Sequence, residues 1–342
     1  RQKERSRMKK YTAALCIALG ACTFWGCTKK EGADKPVRLV MAEVNPPDTI
    51  AGQMDAAFKQ KVEELSGGSI TIDLECSGIL GDEKQIMNLL SNPDSTIHIF
   101  RASVLSLAPY GCSKTAMLSI PYLFASRDQF WRFSATDTAR EILQEPLERG
   151  LAFRGLFFGE EGFRNFFARK PLTSIQDFAG LKVRTTNDAI MNGIVTGLKA
   201  SPVAINFTDL YSALQTGEAD AAEQPLVNYL SNHFPEVAPY MILDRHSLGI
   251  MEMIISEQSW QSLSSRQQQI LLEAGDYASS FCRELSQKEE ERVLSQLAAS
   301  GASIVDVSDS SPWKEACEQV IQAQAADNPA AYKQILQAAH TE

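Results

Sequence analysis

The sequence predicts an α/β fold in two lobes built around parallel sheet, and three observations carry that prediction. Residues 178–225 read strand, helix, strand, helix, strand. In that stretch 181–184 alternates, 189–198 has helical spacing, 201–205 is extended around Pro202, and 207–214 is an amphipathic helix. Asn206 or Thr208 serves as the N-cap of that last helix, and Gly217 falls just past its end. Residues 37–74 repeat the pattern as strand, helix and strand, the helix closed by Gly67-Gly68. Such alternation argues for βαβ units. The chain has 342 residues, enough for two domains.

In chain order, the first ten residues are basic, and Met8 with Lys9 and Lys10 behind it reads as the start. Residues 11–26 form an apolar run too short to span a bilayer, which matches a signal-peptide core over 1–26. Phe24-Trp-Gly-Cys27 resembles a bacterial lipobox, so Cys27 is the expected acylated residue and 27–36 a tether. Cys22 is the competing site, although cleavage there would leave Thr23, Phe24 and Trp25 behind the lipid. A plain signal peptide is the remaining alternative. Four further cysteines, Cys76, Cys112, Cys282 and Cys317, show no CxxC or metal spacing and read as buried small hydrophobes. A disulfide between two of them is open.

Beyond residue 74, 86–90 ends a helix, 96–100 is a strand, 130–147 is helical and 154–158 is a strand again. Two separate apolar stretches follow at 241–243 and 249–255. Ser264-x-x-Gln267 is a capping box that opens a long run of apolar residues at helical spacing. Unbroken to Gly301, that helix would approach 55 Å, at about 1.5 Å per residue. Residues 312–339 add one or two more helices. No internal repeat or low-complexity tract appears.

Formal net charge is −9; without residues 1–26 the chain keeps 27 basic and 41 acidic residues, a net −14. That excludes nonspecific nucleic-acid binding but allows a local anion site. Enzymatic motifs are lacking: the four histidines are scattered, and there is no HExxH, no GxSxG and no Rossmann glycine pattern. Glu160 and Glu161 are neighbours and on a strand would point to opposite faces, so they make no acid–base pair. No cofactor or metal is expected. A hydrolase remains the competing enzymatic class.

Arg184 closes a strand at the carboxyl end of a parallel sheet, where ligands bind in such folds, and its planar fork suits a carboxylate. Its bland role is a surface ion pair. Arg164, where the chain crosses between lobes, is the second basic candidate, with Glu160 or Glu161 able to neutralise it instead. Asn45 ends the first strand. Phe157, Phe158, Phe163, Phe166 and Phe167 form a dense aromatic cluster, mostly core. Phe158 or Phe163 in the cleft would imply a ligand with an apolar body, and so argue against a small sugar acid.

Phe178-Ala-Gly-Leu-Lys-Val-Arg184, Tyr211-Ser-Ala-Leu-Gln-Thr-Gly-Glu-Ala-Asp220 and Glu223-Gln-Pro225 together resemble the hallmark segment of solute-binding subunits of tripartite ATP-independent periplasmic (TRAP) transporters, the DctP-like family. Ser77-Gly-Ile-Leu-Gly-Asp82, Ile120-Pro-Tyr-Leu-Phe124 and the run from Glu257 to Ala274 extend the resemblance to roughly 37–301. It implies a two-lobed periplasmic solute-binding fold with a central ligand cleft and a long helix spanning both lobes. The expected lobes are 37–160 with 247–283, and 161–246 with 284–342 including the C-terminal helices. The resemblance implies that Arg184 pairs with the ligand carboxylate, that Arg164 lies near it, and that Gln224 and Glu223 stand where the family has Glu-Asn-Pro. Phe207 and Tyr211 are expected in the same cleft. Residues 97–103 depart from the family pattern, so contacts from the first lobe stay unassigned. The implied function is capture of an organic anion and delivery to TRAP membrane permease subunits, with a helical-repeat periplasmic partner left open. A sensor or adhesion lipoprotein of the same fold is the alternative.

Overall fold

A computed structural model describes residues 35–340 apart from Pro93, Asn187, Ser300 and Gly301. The expected signal peptide, Cys22, Cys27 and nearly all of the tether lie outside the described residues. In chain order the elements are β1 (Val37–Ala42), α1 (Ile50–Leu65), β2 (Ile70–Glu75), α2 (Glu83–Leu90) and β3 (Ile99–Ser103). Short helices α3 (Ser113–Met117), α4 (Arg127–Ser134), α5 (Asp137–Ile142) and α6 (Glu145–Glu148) lead to β4 (Phe153–Ala168). Then come β5 (Lys182–Thr185), α7 (Ala189–Gly197), β6 (Ser201–Ala204), α8 (Leu210–Thr216), β7 (Ala221–Pro225) and α9 (Leu226–Ser231). The chain finishes with β8 (Tyr240–Ser256), α10 (Glu257–Ser262), α11 (Ser265–Ala299), β9 (Ser303–Asp306), α12 (Ser311–Asp327) and α13 (Pro329–Ala339).

The nine strands among the described residues join one sheet in the order β2-β1-β3-β8-β4-β7-β5-β6, with β9 on β8. Each end of the sheet is a parallel triplet, β2-β1-β3 in one lobe and β7-β5-β6 in the other. Between them run two long antiparallel strands, β4 of 16 residues and β8 of 17, which serve both lobes. Sequence reading found only pieces of these two strands. Helix-favouring and turn residues interrupt them, but bulges absorb the interruptions without ending the pairing. Register shifts fall between Gly155 and Phe157, Glu160 and Phe163, and Arg164 and Phe166. Gly162 sits at φ +97°, a conformation a side chain rarely tolerates.

Helix α11 is the long unbroken helix that its capping box announces: Gln267 N donates to Ser264 Oγ at 3.1 Å and Ser264 N to Gln267 Oε1 at 3.0 Å. It packs on α1 of the first lobe, on β4, and on α9 of the second. The expected single helix over 130–147 is instead three, because Ser126 caps one at Gln129 and Thr136 caps the next at Ala139. Strand β3 begins at Ile99, three residues later than the expected 96. Helix α12 packs on α7 of the second lobe, whereas α13 returns to α3, α4 and α5 of the first. The two C-terminal helices therefore touch elements at both ends of the sheet. Cys76, Cys112, Cys282 and Cys317 are all unpaired, the last three buried. No described helix is long and apolar enough to cross a membrane.

Candidate functional site

The carboxyl ends of the parallel strands converge on one cleft between the lobes. Asn45 follows β1, Arg101 and Ser103 end β3, Arg184 and Thr186 end β5, and Gln224 ends β7 with Asn228 one turn into α9. The bulge in β4 adds Glu161 and Arg164, and Phe207 closes the floor. Ordinary strand alternation turns Glu160 and Glu161 to opposite faces. Glu160 turns toward α11, accepting from Gly162 N at 2.6 Å and from Ser286 Oγ, while Glu161 turns into the cleft.

Three arginines are buried here, and two are already neutralised. Arg101 makes a two-pronged pair with Glu43, Nε to Oε2 at 2.6 Å. Arg164 does the same with Glu223, Nη2 to Oε1 at 2.8 Å, and its Nη1 lies 3.5 Å from Glu161 Oε1. Burial opposes the charge on all four paired groups, yet the partners outweigh it. Both arginines are held above their ordinary range, Glu43 is held below, and Glu223 is held at about 2. His246, stacked on Phe166 at 4.6 Å, is likewise opposed by burial but raised to about 9 by Asp244, 2.8 Å away, and by Glu223.

Arg184 is different. It is 1% exposed, and its Nε donates to Ile205 O at 2.8 Å. Among the described residues it forms no ion pair, and burial pulls its pKa down. Its two Nη groups are left as parallel donors at the cleft, the arrangement that accepts a carboxylate end-on.

Of the residues singled out in the sequence, the structure brings Arg184, Arg164, Gln224, Phe207 and Asn45 to the cleft. Glu223 stands behind it as the partner of Arg164 and His246. Tyr211 points elsewhere, its hydroxyl on Glu236 at 3.0 Å. Phe158 lines a separate groove with Trp131 and Trp260, and Phe163 packs against the main core. No aromatic from that cluster lines the cleft, so the expected apolar body loses its support. The inner chamber has about 30 Å³ of free space, and the residues around it are mostly polar or charged, with Val44 and Phe207 the apolar exceptions. It shares Glu83, Arg184, Thr186 and Phe207 with a larger cavity of about 420 Å³.

Arg101, Glu83, Glu161 and Asn228 are cleft residues that sequence reasoning did not assign. For Arg101 a signal existed: a charged residue inside the apolar run Ile97-His-Ile-Phe-Arg101-Ala needs a buried partner. Asn228 carried none, since an asparagine in a short helix is ordinary.

The family model for bacterial extracellular solute-binding proteins, family 7, matches residues 41–328. A solute-binding protein of Sulfitobacter sp. (strain NAS-14.1) is 30% identical over 252 residues, 71% of this chain and 73% of that one. The C4-dicarboxylate-binding periplasmic protein DctP of Rhodobacter capsulatus is 24% identical over 258 residues, covering 74% and 76%. Among solved structures, the sugar acid binding protein of Advenella mimigardefordensis in complex with galactonate superposes with a TM-score of 0.84 at 23% identity. It covers 90% of this chain and 98% of its own. A TRAP solute-binding protein of Pseudomonas putida F1 with bound D-glucuronate gives 0.83 at 23% identity, covering 89% and 98%.

Proposed function

The chain belongs to the bacterial extracellular solute-binding proteins of family 7, and on that premise we propose that it captures an organic anion through Arg184 and hands it to a TRAP membrane permease. One observation carries the proposal: Arg184 is buried at the cleft with two donors unspent and no carboxylate of its own among the described residues. A buried charge without a partner is costly, and a ligand carboxylate would remove that cost. Relatives named for C4-dicarboxylates and neighbours holding sugar acids support the anionic class. We further propose lipid anchoring at Cys27, from the basic start, the short apolar run and the lipobox-like Phe24-Trp-Gly-Cys27. Labelled palmitate should mark the protein and fail to mark Cys27→Ser; label lost only in Cys22→Ser would move the anchor to the other cysteine.

Calorimetric titration with the co-purified ligand tests the anion site. Losing one partner of a buried charge-assisted pair costs about 2–5 kcal/mol, so Arg184→Ala should weaken binding on the order of 30-fold or more. Arg184→Lys should recover only part, since an ammonium has no planar fork. A loss below about threefold for Arg184→Ala would sink the carboxylate reading.

A further inference from the structure

Two asparagines of the cleft are turned by carboxylates. Asn45 Nδ2 donates to Glu43 Oε1 at 2.8 Å, and Asn228 Nδ2 donates to Glu161 Oε2 at 2.9 Å. A carboxylate can only accept, so each amide must present its NH2 to the glutamate and its carbonyl oxygen away from it. The two residues are 3% and 2% exposed, and both line the inner chamber with Arg184. Their Oδ1 atoms are buried and find no donor among the described residues. Such an acceptor asks for a donor from whatever fills the chamber.

We propose that Asn45 and Asn228 read hydroxyl groups, so that the ligand is a monocarboxylate bearing at least two hydroxyls, and that the cleft rejects dicarboxylates. This rests on the reading of Arg184 as the carboxylate receptor. The charge arrangement supplies the rejection. Arg101 and Arg164 are consumed by Glu43 and Glu223, which leaves one cationic fork. A second carboxylate in the inner chamber would meet Glu83 and Glu161 together with the two amide oxygens, all of them acceptors, beside the neutral Ser103, Thr186 and Gln224; Lys84 lines only the outer cavity. A neutral hydroxyl suits these sites better than an ammonium. Both oxygens of Glu161 are already engaged, by Asn228 and Arg164, and Glu83 accepts from Ser106 Oγ at 2.6 Å. About 30 Å³ of inner space accommodates hydroxyl-sized groups and no apolar body, while the adjoining 420 Å³ holds the rest of a six-carbon chain. Glu161 and Glu43 act here as positioning residues, through the asparagines they hold.

The test is calorimetric titration of the stripped full chain with D-galacturonate, D-glucuronate and D-galactonate on one side and succinate and glutamate on the other. The tightest binder should be a hydroxylated monoacid, with succinate weaker by about 30-fold or more. Glu161→Gln should collapse that ratio, because a glutamine amide donates to Asn228 Oδ1 and lets the asparagine turn its NH2 to the cleft. Asn228→Ala should weaken the monoacid about tenfold and leave succinate unmoved, which separates a reading role from a folding one; apo melting temperatures of both variants accompany the titrations. Succinate or glutamate as the tightest binder, or a ratio indifferent to both variants, overturns the proposal. If no carboxylate in the panel binds and Arg184→Ala changes nothing, the anion reading itself has failed rather than its refinement.

Discussion

At His246 a single ring nitrogen decides much of the pH behaviour expected of the second lobe. The imidazole is 1% exposed between Asp244 and Glu223, and its pKa stands at about 9 against an ordinary 6.5. A raised folded-state pKa means that the stabilisation is complete below about 6.5 and disappears as pH rises through 9. A shift of that size corresponds to the order of 3 kcal/mol. The melting temperature of wild type minus that of His246→Gln should therefore be largest at pH 6 and shrink by pH 9.5. A gap independent of pH would show that His246 is held as a neutral ring. His246 also shows why some residues were legible and others were not. Arg184 stands at the end of a short alternating strand, so its place follows from local order. The roles of Arg101 and Asn228 exist only through partners 58 and 67 positions away in sequence, Glu43 and Glu161, and that of His246 partly through Glu223, 23 positions away. Phe158 was misplaced for the reverse reason: an apolar run cannot tell which face of its strand meets the cleft.

Between elements, α7 and α12 approach each other closely. A Cβ on Gly197 would fall into the carbonyl group of Ala316, 2.9 Å from its carbon, and one on Gly193 would stand 2.6 Å from Val320 Cβ. The two glycines lie one helical turn apart and let the helices touch along a stripe. In an isolated helix Gly→Ala gains roughly 1 kcal/mol. Here Gly197→Ala should instead destabilise by about 1–3 kcal/mol, because a backbone carbonyl cannot move aside. Gly193→Ala should cost less, since it meets a side chain. Urea titration of both variants gives the order, and equal or inverted costs would count against the backbone contact. Helix α11 was legible because Ser264 and Gln267 advertise its start and its periodicity continues for ten turns. The lengths of β4 and β8 were not, because a bulge at Gly162 looks in sequence like the end of a strand.

Across the whole molecule, contacts between the lobes bridge the mouth of the cleft. Asn206 Nδ2 reaches from the second lobe to Asp82 Oδ2 of the first at 3.1 Å, and a Cβ on Gly78 would stand 3.1 Å from the Thr208 methyl. The same Asp82 caps α2 through Gln85 N at 2.8 Å, so the latch is held by a fixed helix end. The lobes are expected to turn about the bulges of β4 and the facing stretch of β8, where Arg245 has φ +49°. Asn206→Ala should favour the open form and weaken ligand binding two- to fivefold, in line with about 0.5–1 kcal/mol for one exposed hydrogen bond. Solution scattering of the stripped protein should show a larger radius of gyration for this variant than for wild type. Identical radii with unchanged affinity would remove the latch.

The threading of β8 through the middle of the sheet also governs the order in which the chain can mature. Ile99 of β3 pairs with Ile255, 156 positions further on. Until that late strand has been synthesised, the first lobe has only its parallel triplet, with the inner edge of β3 unclosed. Closing so long a loop is entropically slow, and topologies dominated by distant pairings fold slowly. For an extracytoplasmic protein this is a kinetic advantage, since a nascent chain that cannot complete either lobe stays threadable until residue 256 of 342 has been made.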